Sequence, residues 1–263
     1  ITILRLNQVE TREVCAKILF NLLTNADTRV KMVKNLFVYA FITLAKNNSS
    51  EIQYLCVKTL YNLSCSPELG NAIVEQDAMP ILIAKSSSSC SMEVCRLSAG
   101  ALCNLSAHTA NIPMMVKQGV VTAAVSLVTK QDVETIQRVA MLLCNLSWDE
   151  SSVRLLVEQN CVPTLVSIIN AKIPFCRELC ATCLCNLSQT NDKEVRSRIV
   201  KDGAILALAT TIVCTVEKAN ADTGEDGTGD GKDTPSRHNM LRPPTASSVK
   251  LEPDPGMNVD TTL

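Results

Sequence analysis

Five asparagines stand at the same place in a signal that keeps returning. Asn21, Asn62, Asn104, Asn145 and Asn186 are separated by 41, 42, 41 and 41 residues, and each is followed by Leu. An Asn side chain carries one acceptor oxygen and two donor hydrogens, so it can pair with both the C=O and the N–H of a peptide backbone. One such amide per repeat would form a ladder for an extended chain, read irrespective of that chain's side chains. The same residues could instead cap their own helices or brace the adjoining loop. The spacing leaves both readings open.

Two further columns accompany the asparagines. Four residues earlier stand Lys17, Lys58, Gly100, Met141 and Thr182, and eight earlier stand Glu13, Tyr54, Arg96, Gln137 and Glu178. The end marked by Lys17, Lys58 and Arg96 is basic and suits an acidic segment, or else these are ordinary solvated cations. Trp148, the only Trp, lies three residues past Asn145 and close to Met141 on the same face. Trp is enriched where binding energy concentrates, so Trp148 is a candidate anchor; packing beneath the next loop is the alternative.

Catalytic chemistry finds little to work with. The two histidines, His108 and His238, adjoin no nucleophile in a recognisable arrangement, and no glycine loop suited to phosphate is present. No enzyme activity and no cofactor is expected. Cys176, Cys180, Cys183 and Cys185 form the densest thiol group. Structural zinc sites draw their ligands from paired C-x2–4-C arms in loops. These thiols instead occupy repeat positions held elsewhere by Thr135, Val139, Leu142 and Cys144. They read as small packed residues, with no metal.

The asparagines must be carried by helices. Leu occupies the position two before each (Leu19, Leu60, Leu102, Leu143, Leu184) and one after each (Leu22, Leu63, Leu105, Leu146, Leu187). Five before stand Ala16, Val57, Ala99, Ala140 and Ala181. Steps of three along one stripe predict a helix running about 14 residues back from each Asn. Ser50-Glu51, Ser91, Asp132 and Ile173-Pro174 mark its starts. After the Asn, Val33, Val74, Val116, Val157 and Val200 open a second period. Three residues on come Asp77, Gly119, Asn160 and Gly203, the types that best tolerate a left-handed backbone. A short helix, a sharp corner, a second helix and a long third helix make the unit. In the first copy Leu36 falls where the corner residue should be, so the corner there is expected at Asn35.

A fixed period of about 40 to 47 residues is the mark of a helical solenoid. The pattern resembles the armadillo (β-catenin-like) repeat family over residues 1–214. Val157 to Ile169 looks like the family's first corner, and Leu-Cys-Asn-Leu-Ser like the end of its third helix. The resemblance implies an all-α, right-handed solenoid of about five three-helix repeats. It also implies a scaffold or adaptor that binds extended segments of other proteins, with the Asn ladder clamping the partner's main chain. Nuclear-transport members carry Trp four residues before the Asn; none of the five copies here does. A transport-type cargo adaptor, or a regulatory part of a larger enzyme, is the alternative.

Charge divides the chain. Residues 1–214 carry 20 Lys/Arg against 17 Asp/Glu, and residues 215–263 carry 5 against 9. The body lacks the basic excess of a nucleic-acid binder, and no small-molecule site is evident. No apolar run reaches the roughly 18 residues of a membrane span. Thirteen cysteines placed mostly at packing positions point to a reducing compartment, cytoplasm or nucleus. The Asn-x-Ser triplets then have no glycan meaning. The chain starts at Ile1 inside a repeat and reads as a fragment. Residues 215–263 form an acidic, Gly- and Pro-rich tail, expected to be disordered from about 217. Within it, Lys250 fits a SUMO-attachment pattern and Thr234 a proline-directed kinase site.

Overall fold

The computed structural model describes residues 8–222, apart from 24, 35–36, 47–48 and 88. Lys250, Thr234, the Asn35/Leu36 corner and the segment around Ile1 lie outside the described residues. Within them the regular elements are helices, joined by short turns.

Four units show all three of their helices. They are α2 (Ala26–Lys34), α3 (Phe37–Ala45) and α4 (Ser50–Ser64); α5 (Pro67–Glu75), α6 (Met79–Lys85) and α7 (Met92–Ser106); α8 (Ile112–Lys117), α9 (Val120–Val128) and α10 (Val133–Leu146); and α11 (Val153–Glu158), α12 (Cys161–Asn170) and α13 (Pro174–Ser188). The helix α1 (Val9–Leu22) precedes them, and α14 (Lys193–Lys201) with α15 (Ala204–Asp222) follows. The third helices α1, α4, α7, α10 and α13 stack side by side into one layer, and the second helices α6, α9, α12 and α15 into another.

Local chemistry explains the breaks. Ser49, Ser91 and Asp132 cap the third helices through side-chain oxygens that accept from Ile52, Val94 and Thr135 N–H groups. At α13 no cap bond forms; Pro174 opens the helix with a residue that has no N–H to satisfy. The corner residues Asp77, Gly119, Asn160 and Gly203 adopt φ of 63°, 83°, 68° and 95°. Around Asp77 the Ala78 N–H reaches Ile73 O at 3.3 Å and the Asp77 N–H reaches Val74 O at 3.1 Å, which closes the end of α5 before α6 leaves.

The leucine stripe is the core. Leu60, Leu102, Leu143, Leu184, Leu63, Leu105, Leu146 and Leu187 are all buried, as are Ala16, Val57, Ala99 and Ala140. The first copy departs: Leu22 is exposed. At the other end Leu206 is 74% exposed, with Ile205, Ile212 and Val213 also open. The helix α15 extends beyond the limit expected from the sequence, continuing through residues 214–222. That stretch contains Glu217, Lys218, Ala219 and Ala221 and no Gly or Pro, so nothing in it breaks a helix before Gly224. Among the described residues no single helix is long and apolar enough to cross a membrane.

Candidate functional site

Stacking the third helices brings the recurrent asparagines onto one face. Asn104 donates Nδ2–H to Ser64 Oγ at 3.0 Å, Asn145 to Ser106 Oγ at 3.0 Å, and Asn186 to Ser147 Oγ at 3.0 Å. Each acceptor is the serine two residues past the previous repeat's Asn. Each serine is buried, and its own proton goes to a backbone carbonyl: Ser64 to Tyr61 O, Ser106 to Cys103 O and Ser147 to Cys144 O, at 2.6, 2.6 and 2.7 Å.

This relay fixes the amide orientation. A serine whose hydrogen is committed to a carbonyl can only accept, so the asparagine must present nitrogen to it rather than oxygen. One N–H and the Oδ1 of Asn145 and Asn186 remain without a hydrogen-bond partner among the described residues on these half-buried side chains; Asn104 also donates Nδ2–H to Cys65 Sγ at 3.4 Å, which leaves its Oδ1. The bracing alternative is therefore part of the answer, but it runs back to the preceding repeat and consumes one donor of two at Asn145 and Asn186, while at Asn104 the second donor is shared with the weak acceptor Cys65 Sγ. Asn62 lies outside the relay, because Leu23 stands where its serine would be. Asn21 is exposed on α1.

The cations are less free than their spacing suggested. Lys17 Nζ lies 2.7 Å from Glu51 Oε1, both exposed. Lys58 donates to the Tyr54 hydroxyl at 3.0 Å and sits 5.4 Å from that ring's centroid. Arg96 grips Asp132 with two bonds, Nε to Oδ2 at 3.0 Å and Nη2 to Oδ1 at 2.6 Å. Asp132 also caps α10 by accepting from the Thr135 N–H and hydroxyl. The Arg96 hydrogen bonds hold the Asp132 carboxyl well below the usual carboxylate range, outweighing its partial burial. Arg96 thus ties α7 to the start of α10.

Met141 is half-buried on α10. Trp148 is half-buried beside a depression of about 320 Å³ that Ser147, Glu150, Asn186 and Gln189 also line, and its Nε1 is enclosed without an acceptor among the described residues. Cys176, Cys180 and Cys183 are fully buried and Cys185 is exposed. Burial pushes the Cys56, Cys103 and Cys144 thiols up to about 12 and Cys176 to about 11, so they stay protonated. Among the described residues no group of three or more His, Cys, Asp or Glu is placed to hold a metal ion. The His108 ring packs against Gly70, 3.2 Å from where a Cβ would stand.

Two features escaped the sequence reading. Gln76 and Gln159 donate to Val33 O and Val116 O of the preceding repeats at 2.9 and 3.0 Å, a second inter-repeat tie. The other is a cluster of Tyr61, Gly100 and Arg138, one residue from each of three consecutive third helices. Its signal was available: each departs from its own column. Arg138 replaces Val14, Leu55, Leu97 and Leu179; Gly100 replaces longer residues; Tyr61 stands where three other copies have Cys.

No protein-family model matches the chain, and no curated protein matches it. Solved structures do. A computationally designed armadillo repeat protein for modular peptide recognition superposes with a TM-score of 0.67 at 16% identity, covering 79% of this chain and 88% of that one. A designed armadillo repeat protein in complex with the peptide (KR)4 gives 0.64 at 16% identity over 79% and 88%. The fold is that of an armadillo repeat array. An engineered protein with 21% identity, TM-score 0.61, shares it over 80% of this chain and 56% of its own.

Proposed function

We propose that this armadillo array is a protein–protein interaction scaffold that holds an extended segment of a partner along the groove lined by its third helices. The observation that carries the reading is the repeated Asn–Ser–carbonyl relay. It presents Asn104, Asn145 and Asn186 in one orientation, each with an unspent acceptor; Asn145 and Asn186 also keep an unspent donor, and at Asn104 a main-chain carbonyl would replace the weak acceptor Cys65 Sγ. Hydrogen bonds to a main chain are available whatever its side chains, and pre-orientation lowers the cost of ordering the site on binding. Asn21 and Asn62 extend the ladder without the serine brace. Lys17, Lys58, Met141 and Trp148 would supply side-chain preferences, while Arg96 acts as a brace. The similar designed proteins are named for peptide recognition, which agrees with this use of the fold. The role is binding rather than catalysis. The many buried, protonated thiols suit a reducing compartment, cytoplasm or nucleus.

Replacing Asn104 and Asn145 together by Ala tests the clamp. Each lost hydrogen bond is worth about 0.5–1.5 kcal/mol, so partner affinity should fall on the order of tenfold or more. The brace to the preceding serine goes too, so a melting temperature lower by a few degrees is expected. Unchanged affinity in a folded double variant would sink the proposal.

A further inference from the structure

The centre of the groove holds an arrangement that the asparagine ladder does not use. Gly100 lies four residues before Asn104, and a Cβ built on it would stand 2.6 Å from Tyr61 Cε2 and 2.7 Å from Arg138 Nη1. Only a glycine leaves room for these two side chains. Arg138 reaches from α10 across α7 and sets its guanidinium carbon 5.6 Å from the centroid of the Tyr61 ring, which belongs to α4. The Arg138 side chain is only 14% exposed. Its Nε and Nη2 both point to a single oxygen, Glu134 Oε1, at 3.2 and 2.7 Å. Its Nη1 is enclosed with no hydrogen-bond partner among the described residues.

We propose that Arg138 reads an acidic side chain on the segment held in the groove: a carboxylate of the bound chain replaces Glu134 on the guanidinium. This rests on the groove reading above. A segment clamped by Asn104 passes over Gly100, one helical turn away on the same helix, and so beside Arg138. The guanidinium is held beside the Tyr61 ring and largely out of solvent, and a planar fork positioned in advance is what bidentate carboxylate recognition needs. Glu134 is displaceable because its own side chain is half exposed and it meets the guanidinium through one oxygen only, where an incoming carboxylate could use two. It also has a second cation to turn to, since its Oε2 already lies 3.8 Å from Arg96 Nε. Arg96 cannot take the reading role itself without releasing Asp132, which caps α10.

The test uses the full chain and two fluorescent ten-residue probes, alternating Ser-Asp and alternating Ser-Asn, that differ only in charge. Binding is followed by anisotropy at several salt concentrations. The parent should prefer the Asp probe about tenfold at low salt. Arg138→Met should bring that ratio close to one, by lowering the Asp probe's affinity more than the Asn probe's. Arg138→Lys should restore part of the preference. Gly100→Ala, which closes the notch without removing charge, should also lower the ratio. A preference that survives Arg138→Met overturns the inference, and so does a parent that binds both probes equally. The Asn104→Ala and Asn145→Ala pair separates the two readings. If it weakens both probes while Arg138→Met leaves the ratio intact, the acidic subsite fails and the clamp stands. If it weakens neither, or the parent binds neither probe, both fall.

Discussion

Asp132 illustrates how one residue can serve two helices. Its carboxylate caps α10 and anchors Arg96 of α7, so removing its charge should loosen the junction between two repeats. Asp132→Asn keeps a competent cap oxygen and loses the ion pair; a cost of roughly 1 kcal/mol is expected, given that Arg96 is partly exposed. The sign with pH follows from the lowered carboxyl pKa. In the unfolded chain an Asp titrates near about 3.9; in the fold it holds its charge to lower pH. The contribution is therefore full above that unfolded value and is lost as pH falls through the folded one. Urea melts of the two proteins should differ by a constant amount from neutral pH down to about pH 5 and converge on further acidification. A difference that grows with acid would contradict this. Residues of this kind were only half legible. The asparagines, leucines and corner residues announce themselves by recurring at fixed offsets. Asp132 was read as a cap but not as the partner of Arg96. The trio of Tyr61, Gly100 and Arg138 looked like three unrelated irregularities, because what unites them is a contact across three repeats that only stacking creates.

At the scale of the element, the corners between first and second helices are where sequence and backbone agree best. Gly119 and Gly203 take positive φ at no steric cost, while Asp77 and Asn160 take it against a modest penalty. Asn160→Gly should be neutral or slightly stabilising, whereas Asn160→Val should cost on the order of 1–3 kcal/mol, because a β-branched residue resists that conformation. Thermal melts of the two variants check this; similar melting temperatures would show that the corner is not conformationally demanding. Gln131 and Lys172 also adopt left-handed φ, of 55° and 57°, just before α10 and α13. Neither residue type signals such a turn, and there the chain path is imposed by the helices on either side. The extended α15 was missed for a related reason: charge and composition beyond Val213 suggested a tail, yet the first residues past it have ordinary helix propensity.

Over the whole molecule, stability should follow position in the stack. In a solenoid each unit gains mainly from its two neighbours. The helices α7 and α10 have a third helix packed on each side, α13 has one toward α10 and meets α14 and α15 beyond, and the leucines of all three stripes are buried. The helix α15 leaves Ile205, Leu206, Ile212 and Val213 open. Amide exchange should accordingly be slowest from Val94 to Leu187 and fastest, among these helices, from Ala204 to Val213. Uniform protection across both spans would mean that the array opens as one block rather than from its end.

For the proposed clamp, the serine relay also implies a direction of travel. Asn104, Asn145 and Asn186 each turn Nδ2 toward the preceding repeat, so Oδ1 is the arm of the amide farther from it. Each carboxamide is an arrow, and all three point the same way. Along any peptide, a residue's N–H comes before its C=O. A residue paired with both arms must put its N–H on Oδ1 and its C=O on Nδ2. On the proposed clamp a guest chain would then run from later repeats to earlier ones, antiparallel to the array. A photo-crosslinker on the amino end of a bound probe should mark α13, and one on the carboxyl end should mark α4 or α7. Labels in the reverse order would show that the track can be entered from either side.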